Sequence, residues 1–410
     1  MKRVVVTGLG AVTPIGNDVK TFWNGLTRGQ NGIDLIISFD VSDTKYKLAG
    51  ELKNFDPSIC LDKTTIRKTD LFVQYALYAA QEAMDDSRLA GNIESNQLAV
   101  YFGSGVGGFN TFCNEHETLM TRGAHRVSPQ FIPKMISNIA AGNVAIRFNA
   151  TGSCVDIVTA CATSTNAIGE AYRAIKDGYA TAIICGGTEA AINPLAIAGF
   201  GNCMALSASE DKNVASLPFD KRRAGFVMGE GAGALILEEY DHAKNRNAHI
   251  YAEVCGYGST CDAYHVTAPN PEAIATTKAI TDAIKDVKDL EAKKVYINAH
   301  GTGTPLNDKT ETTAFKKTFG KSAKDLHISS TKSMTGHMLG AAGAAEAIAA
   351  ILALNNGIIP PTINLCESDE ECDLNYTSNI AVKANIDVAI STSLGFGGHN
   401  ACIAFKKAEK

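Results

Sequence analysis

Short apolar runs rich in β-branched residues recur along the chain, and most end in glycine or another small residue. Those at 4–9 (VVVTGL), 98–105 (LAVYFGSG), 154–160 (CVDIVTA), 181–187 (TAIICGG), 233–239 (GALILEE) and 294–301 (KVYINAHG) read as buried strands. Between them, 69–87 and 162–178 read as helices, the second stopping at Lys176, Asp177 and Gly178. Strands alternating with helices predict an α/β architecture whose strands are largely covered. Near 241–258 a charged helix end passes into a new strand, which places a boundary between halves 1–248 and 249–410. The halves echo one another once. A strand, a reactive-looking turn and a small-residue helix occur in CVDIVTACATSTNAIGEAYRAI and again in DLHISSTKSMTGHMLGAAGAAEAIAAILAL at 325–354.

Length supports the doubling, since 410 residues exceed what one core usually organises. Hydrophobic residues make up 45% and charged residues 20%, so a large core is available. A formal charge of −5 leaves no basic excess for general nucleic-acid binding. The charged start MKR is followed by too short an apolar run for a signal peptide and reads as a first strand. No stretch is expected to supply the roughly 18 apolar residues of a membrane helix, so no membrane insertion is expected. Eleven cysteines occur without a CxxC pair or a Cys/His cluster at zinc spacing, so no metal is expected. Most should be small buried hydrophobes in a reducing cytoplasm.

The candidate chemistry begins with the glycines. GLGAVTPIG (8–16) lacks the third glycine of GxGxxG, GSGVGG (103–108) is spaced GxGxGG, and no GxxxxGK[ST] occurs. A dinucleotide site is therefore rejected in favour of tight turns. Cys161, in TACATS, stands where a strand gives way to a helix. There the unsatisfied N–H groups of the helix N-terminus favour a thiolate over a thiol whose ordinary pKa is about 8.5. His300 follows the strand VYIN in INAHGTGTPLND, and His337 precedes an Ala/Gly-rich helix with Lys332 five residues upstream. Neutral imidazoles at such turns can donate to a developing oxyanion or take a proton. His116, His125, His242 and His249 carry no such context. In the final turn, GFGGHN, backbone N–H groups can serve as oxyanion donors and Phe396 can stand as a door.

Together TACATS, HGTGTPLND, KSMTGHMLGAAGAAE and GFGGHN resemble the β-ketoacyl-acyl-carrier-protein synthases. VVVTGLGAVTPIGN, PFDKRRAGFVMGEGAGALILE and DAYHVTAPNP extend the resemblance over the whole chain in the family's order, most similar to the synthase II branch of bacterial fatty-acid synthesis. The resemblance implies a thiolase-like fold of two similar halves layered α–β–α–β–α, a homodimer, and no cofactor. It implies acyl-carrier and malonyl-carrier protein as substrates, joined by decarboxylating condensation. It casts Cys161 as nucleophile, His300 and His337 as the active-site histidines, Lys332 as the supporting lysine, and Glu311 as the acidic residue paired near that lysine. Thr302 and Thr304 would contact the phosphopantetheine arm, Phe396 would gate, and the N–H groups of Cys161 and Phe396 would form the oxyanion hole. Val106, in GSGVGG, would face the acyl pocket near the dimer interface.

The family's carrier is acidic, so Lys63, Arg67 and Lys68 in LDKTTIRKTD are the expected docking patch. Leu217, Ala224 and Thr392 depart from the family's frequent Arg, Asp and Asn at those positions. Thr392 lies beside a monovalent-cation site that would include Glu346; a buried hydrogen-bonding role for Glu346 is the alternative. Other readings are a synthase I type or discrete polyketide ketosynthase, a non-catalytic chain-length partner, and a cysteine hydrolase. Cys161, His300 and His337 together count against the chain-length partner.

Overall fold

The structure is a computed structural model and describes residues 1–408. Its first half runs β1 (Val4–Val12), α1 (Leu71–Ser87), β2 (Leu98–Gly103), β3 (Cys154–Val155), α2 (Thr163–Lys176), β4 (Ala182–Glu189) and β5 (Gly231–Glu239). The second runs β6 (Ala252–Cys261), α3 (Ile274–Ile284), β7 (Val295–Asn298), α4 (Pro305–Phe319), β8 (His327–Ser329), α5 (Ala342–Asn356), β9 (Val388–Gly395) and β10 (His399–Lys406).

The ten strands form one ladder in the order β8-β7-β9-β10-β6-β1-β5-β4-β2-β3. Read outward from the β1/β6 seam, both halves repeat one pattern. The first strand pairs antiparallel with the fifth, the fifth antiparallel with the fourth, the fourth parallel with the second, and the second parallel with the third. The seam itself is short, with Val5 and Val6 facing Glu253 and Ala252.

Layering follows from burial. α2 and α5 lie between the two five-stranded halves and share one apolar core with both, including Ile168, Ile175, Leu235, Ile348, Ile351 and Phe405. A second core joins α1 to the outer face of β1, β2, β4 and β5, and a third joins α3 and α4 to the outer face of the other half. Three cores between five layers give the expected α–β–α–β–α arrangement. A helix apolar all round belongs inside a protein. Together with the turn before it, α5 forms a run, Leu339–Asn356, long and apolar enough to cross a membrane, contrary to the expectation that none would occur; 89% of it is buried between the layers.

Three predicted strands are shorter than expected, and the one at 98–105 stops at Gly103. Of 154–160 only Cys154–Val155 pairs, because the chain then crosses the end of β2, where a Cβ on Gly103 would lie 2.0 Å from the Ile157 carbonyl oxygen. The run at 294–301 is a strand only over Val295–Asn298, so that His300 stands on the turn beyond it. The helix expected from 69 begins at Leu71, with Asp70 accepting from the Phe72 N–H at 3.3 Å.

Candidate active site

The nucleophile turn is held open by backbone geometry. Ala160 adopts φ of 51°, a conformation a residue with a Cβ seldom takes, and Ala160–Ala162 form a 3₁₀ turn leading into α2. The Thr159 N–H donates to the Thr163 hydroxyl at 2.9 Å, and the Asn166 amide donates to the Thr159 hydroxyl at 2.7 Å, so both ends of the turn are tied to the helix. The Phe396 N–H donates to the Cys161 sulfur. That approach needs Gly395, where a Cβ would lie 2.6 Å from the Thr159 oxygen and 3.2 Å from the Cys161 nitrogen.

Burial raises the Cys161 thiol to about 12, against the downward pull of Lys332 and the Phe396 N–H; Glu189 and Glu346 add to the rise. The helix N-terminus was expected to favour the thiolate in the resting state. Desolvation outweighs it here, and the resting sulfur is a protonated thiol.

His300 stands where β7 ends. Its backbone N–H donates to Glu311 at 2.8 Å and to the Thr392 hydroxyl at 3.2 Å, and the Gly301 N–H donates to the other Glu311 oxygen at 2.6 Å. Asn307 and Thr392 side chains complete the carboxylate's partners at 3.0 and 2.9 Å. Glu311 is thus a clamp on the histidine turn. It was expected to pair near Lys332, and the structure corrects this: the Lys332 ammonium pairs with Glu346 on α5. The reason is position, because Glu311 on α4 reaches the far side of the His300 turn and spends its oxygens on backbone N–H groups.

His337 follows the short helix Lys332–Thr335, its N–H donating to the Val227 oxygen at 2.7 Å and its ring edge-on to Phe226 at 5.0 Å. The two histidine rings lie 5.2 Å apart at 85°. Burial holds both imidazoles well below their ordinary value, and the Lys332 ammonium adds to this for each. Both rings are therefore neutral.

One cavity of about 360 Å³ brings the group together, its wall including Cys161, His300, His337 and Phe396, with Thr302 and Thr304 towards the exposed Leu306. The two threonine hydroxyls lie 3.0 Å apart. Phe396 is half-buried, 6.4 Å from the Phe200 ring. Lys332, Glu311 and Glu346 stand behind this wall. A larger, open hollow of about 1020 Å³ around Trp23, Tyr78, Glu82 and Tyr251 has no histidine in its lining. Val106 is not in the wall either; it is 42% exposed on the loop after β2. Lys63, Arg67 and Lys68 are exposed on the helix Lys63–Lys68, outside the cavity. Among the described residues, no three His, Cys, Asp or Glu side chains cluster as metal ligands. Sequence reasoning missed Glu189, Phe200 and Phe226. Glu189 was visible only as a lone acid at the end of an apolar strand, and the two phenylalanines carried no distinguishing signal.

Comparison with known proteins gives a consistent result. A model described as beta-ketoacyl synthase, N-terminal domain, matches residues 1–243, and one described as beta-ketoacyl synthase, C-terminal domain, matches 251–366. A 3-oxoacyl-[acyl-carrier-protein] synthase 2 of Synechocystis sp. is 50% identical over 99% of this chain and 98% of its own. Two solved structures each superpose over the full length of both chains. A beta-ketoacyl synthase from Burkholderia phymatum has a TM-score of 0.92 at 33% identity. A type II polyketide ketosynthase, AntDE, bound to its acyl-carrier protein AntF, has a TM-score of 0.91 at 34% identity.

Proposed function

The chain belongs to the β-ketoacyl synthase family, and on that premise we propose that it elongates fatty-acyl chains by condensing a Cys161-bound acyl group with malonyl-acyl-carrier protein, releasing CO2. The observation that carries this reading is the single cavity in which a thiol, two neutral imidazoles and a backbone N–H aimed at the sulfur converge.

Acylation comes first. The Cys161 sulfur attacks the thioester carbon of acyl-carrier protein, and the oxyanion that forms takes hydrogen bonds from the Cys161 and Phe396 N–H groups. The carrier thiol leaves with the proton given up by the cysteine. Because the resting thiol is held protonated, deprotonation accompanies attack, and a neutral histidine is the available acceptor. Malonyl-carrier protein then binds with its arm along Thr302 and Thr304. Neutral Nε2–H groups of His300 and His337 donate to the thioester oxygen as the C–CO2 bond breaks and enolate charge gathers there. The enolate carbon attacks the acyl-cysteine carbonyl, the sulfur leaves as a thiolate that takes a proton from solvent to return to the resting thiol, and a 3-oxoacyl chain two carbons longer remains on the carrier. Glu311 fixes the His300 turn. Burial keeps both imidazoles neutral, and Lys332, paired with Glu346, adds to it.

The same reading includes a carrier docked on Lys63, Arg67 and Lys68, a division of the halves at 248/249 and a reducing, cytoplasmic setting for eleven unpaired cysteines. Val106 faces the acyl chain once a second copy covers it. The homodimer would form across the open edge at Cys154–Val155, where Val106, Val155 and Val158 expose apolar surface.

Intact-protein mass spectrometry tests the proposal. Acyl-carrier protein should add one acyl group, Cys161→Ala should abolish the adduct, and malonyl-carrier protein should convert it to a 3-oxoacyl product two carbons longer. Release of free acid in place of that product would instead favour a hydrolase.

A further inference from the structure

The repeated topology pairs positions across the two halves. The 3₁₀ turn Ala160–Ala162 ahead of α2 corresponds to Leu339–Ala341 ahead of α5, and Leu339 repeats the positive φ of Ala160, at 47° against 51°. Cys161 therefore corresponds to Gly340. By register, Ile184 faces Val100 and Ile390 faces Ile297, so the end of β4 at Glu189 corresponds to the end of β9 at Gly395. Gly395 leaves the space over the Cys161 N–H open. At the twin position a side chain fills that space: one Glu189 oxygen accepts from the Gly340 N–H at 3.0 Å.

The same carboxylate holds the loop after β2. It accepts from the Ser104 hydroxyl at 2.8 Å, the Gly105 N–H at 2.9 Å and the Val106 N–H at 3.3 Å. Glu189 is fully buried, and no cation pairs with it among the described residues. Gly105 and Gly340 touch beside it: a Cβ on Gly340 would lie 2.5 Å from the Gly105 nitrogen and 2.7 Å from the Glu189 oxygen. The Gly340 carbonyl in turn accepts from the Ser164 hydroxyl on the first turn of α2. One buried carboxylate thus joins the loop bearing Val106 to the turn following His337, and through Gly340 to the helix that follows the nucleophile.

We propose that Glu189 is a positioning residue, occupying the twin of the oxyanion hole at Gly340 and locking the Ser104–Gly107 loop against the Leu339–Ala341 turn, which Ser164 ties to the helix after Cys161, so that Cys161 can be acylated. Burial lifts its carboxyl to about 7, against its four donors, which pull the other way and favour the carboxylate. The role rests on the condensing reading above, and its failure is separable from the failure of that reading.

The test uses full-length wild type, Glu189→Gln, which keeps the shape, and Glu189→Ala, which opens the twin hole. Acyl-carrier protein of two acyl lengths is the donor, and thermal midpoints identify variants that fold. If the wild type gains no acyl group, the condensing reading fails, whatever the variants do. If it does, acylation of Glu189→Gln should slow at least tenfold, through kcat more than KM, while KM for malonyl-carrier protein stays within twofold. Formate at high concentration should restore part of the rate in Glu189→Ala, and chloride should not. Acylation within twofold of wild type in Glu189→Gln overturns the proposal. Should Glu189→Ala not fold, Glu189→Gln decides alone.

Discussion

Removing the Lys332 ammonium separates what holds the site together from what makes it work. Lys332 and Glu346 are 1% and 3% exposed, and the second Glu346 oxygen has no partner among the described residues. Lys332→Met leaves that carboxylate alone in a dry interior, and breaking a buried pair in this way costs about 3–5 kcal/mol. Glu346 has an escape, because burial already raises its carboxyl above the ordinary value and it can fold protonated. The loss should therefore sit near 3 kcal/mol at pH 7 and be smaller at pH 5.5, where protonating the carboxyl is easier. In Lys332→Met/Glu346→Leu no charge is left buried, and hydrophobic replacements of such pairs are commonly neutral or stabilising. The double variant should recover most of the thermal midpoint by circular dichroism, a coupling of about 2 kcal/mol or more. Activity should not recover. Lys332 helps hold both histidines neutral, so without it the imidazoles gain protons at higher pH and the acid limb of the rate profile should move upward. A double variant as unstable as Lys332→Met, or an unmoved acid limb, would refute the reasoning.

Alkylation of resting Cys161 by iodoacetamide should rise about tenfold per pH unit from 7 to 9.5 without a plateau, since its thiol titrates near 12; a plateau near 8 would contradict the burial argument. Arg67→Glu/Lys68→Glu should raise KM for the acyl carrier several-fold with kcat within twofold, an effect fading as salt screens the encounter; unchanged KM would remove the patch from docking. Stability should fall as pH rises from about 4.5 through 7, as thermal midpoints across buffers would record. Glu82, Glu189, Glu230 and Glu311 are each raised to about 7 in the fold, so the stability of burying them neutral is full below the ordinary carboxylate value and is lost through 7. The depressed histidines act the other way only below about 6.5, where the unfolded chain begins to take up protons.

What the sequence made legible was what depends on local order. The helix start after Cys161 and the glycine turns around His300 and Phe396 are written in adjacent residues and lie close to their expected places, whereas the strand expected over 154–160 stops at Val155. The doubling was faint because side chains diverged while hydrogen-bond topology persisted. Cys161 and Gly340 share a turn and a positive φ just before it, yet no residue type. Partners of buried charge were not legible. Glu311 was matched to the lysine because an acid follows the histidine motif, but which carboxylate reaches Lys332 is decided by α5 packing behind the cavity, a contact spanning 14 residues and two layers. Thr392, read as a departure from the family's frequent Asn, bridges Glu311 and the His300 backbone. Glu189 was hidden most completely, because its four partners lie 84, 85, 83 and 151 residues away. A lone carboxyl ending an apolar strand violates local pattern, and buried polar groups persist where something satisfies them. That violation was the one trace in the sequence of the contact joining the two halves beneath the nucleophile.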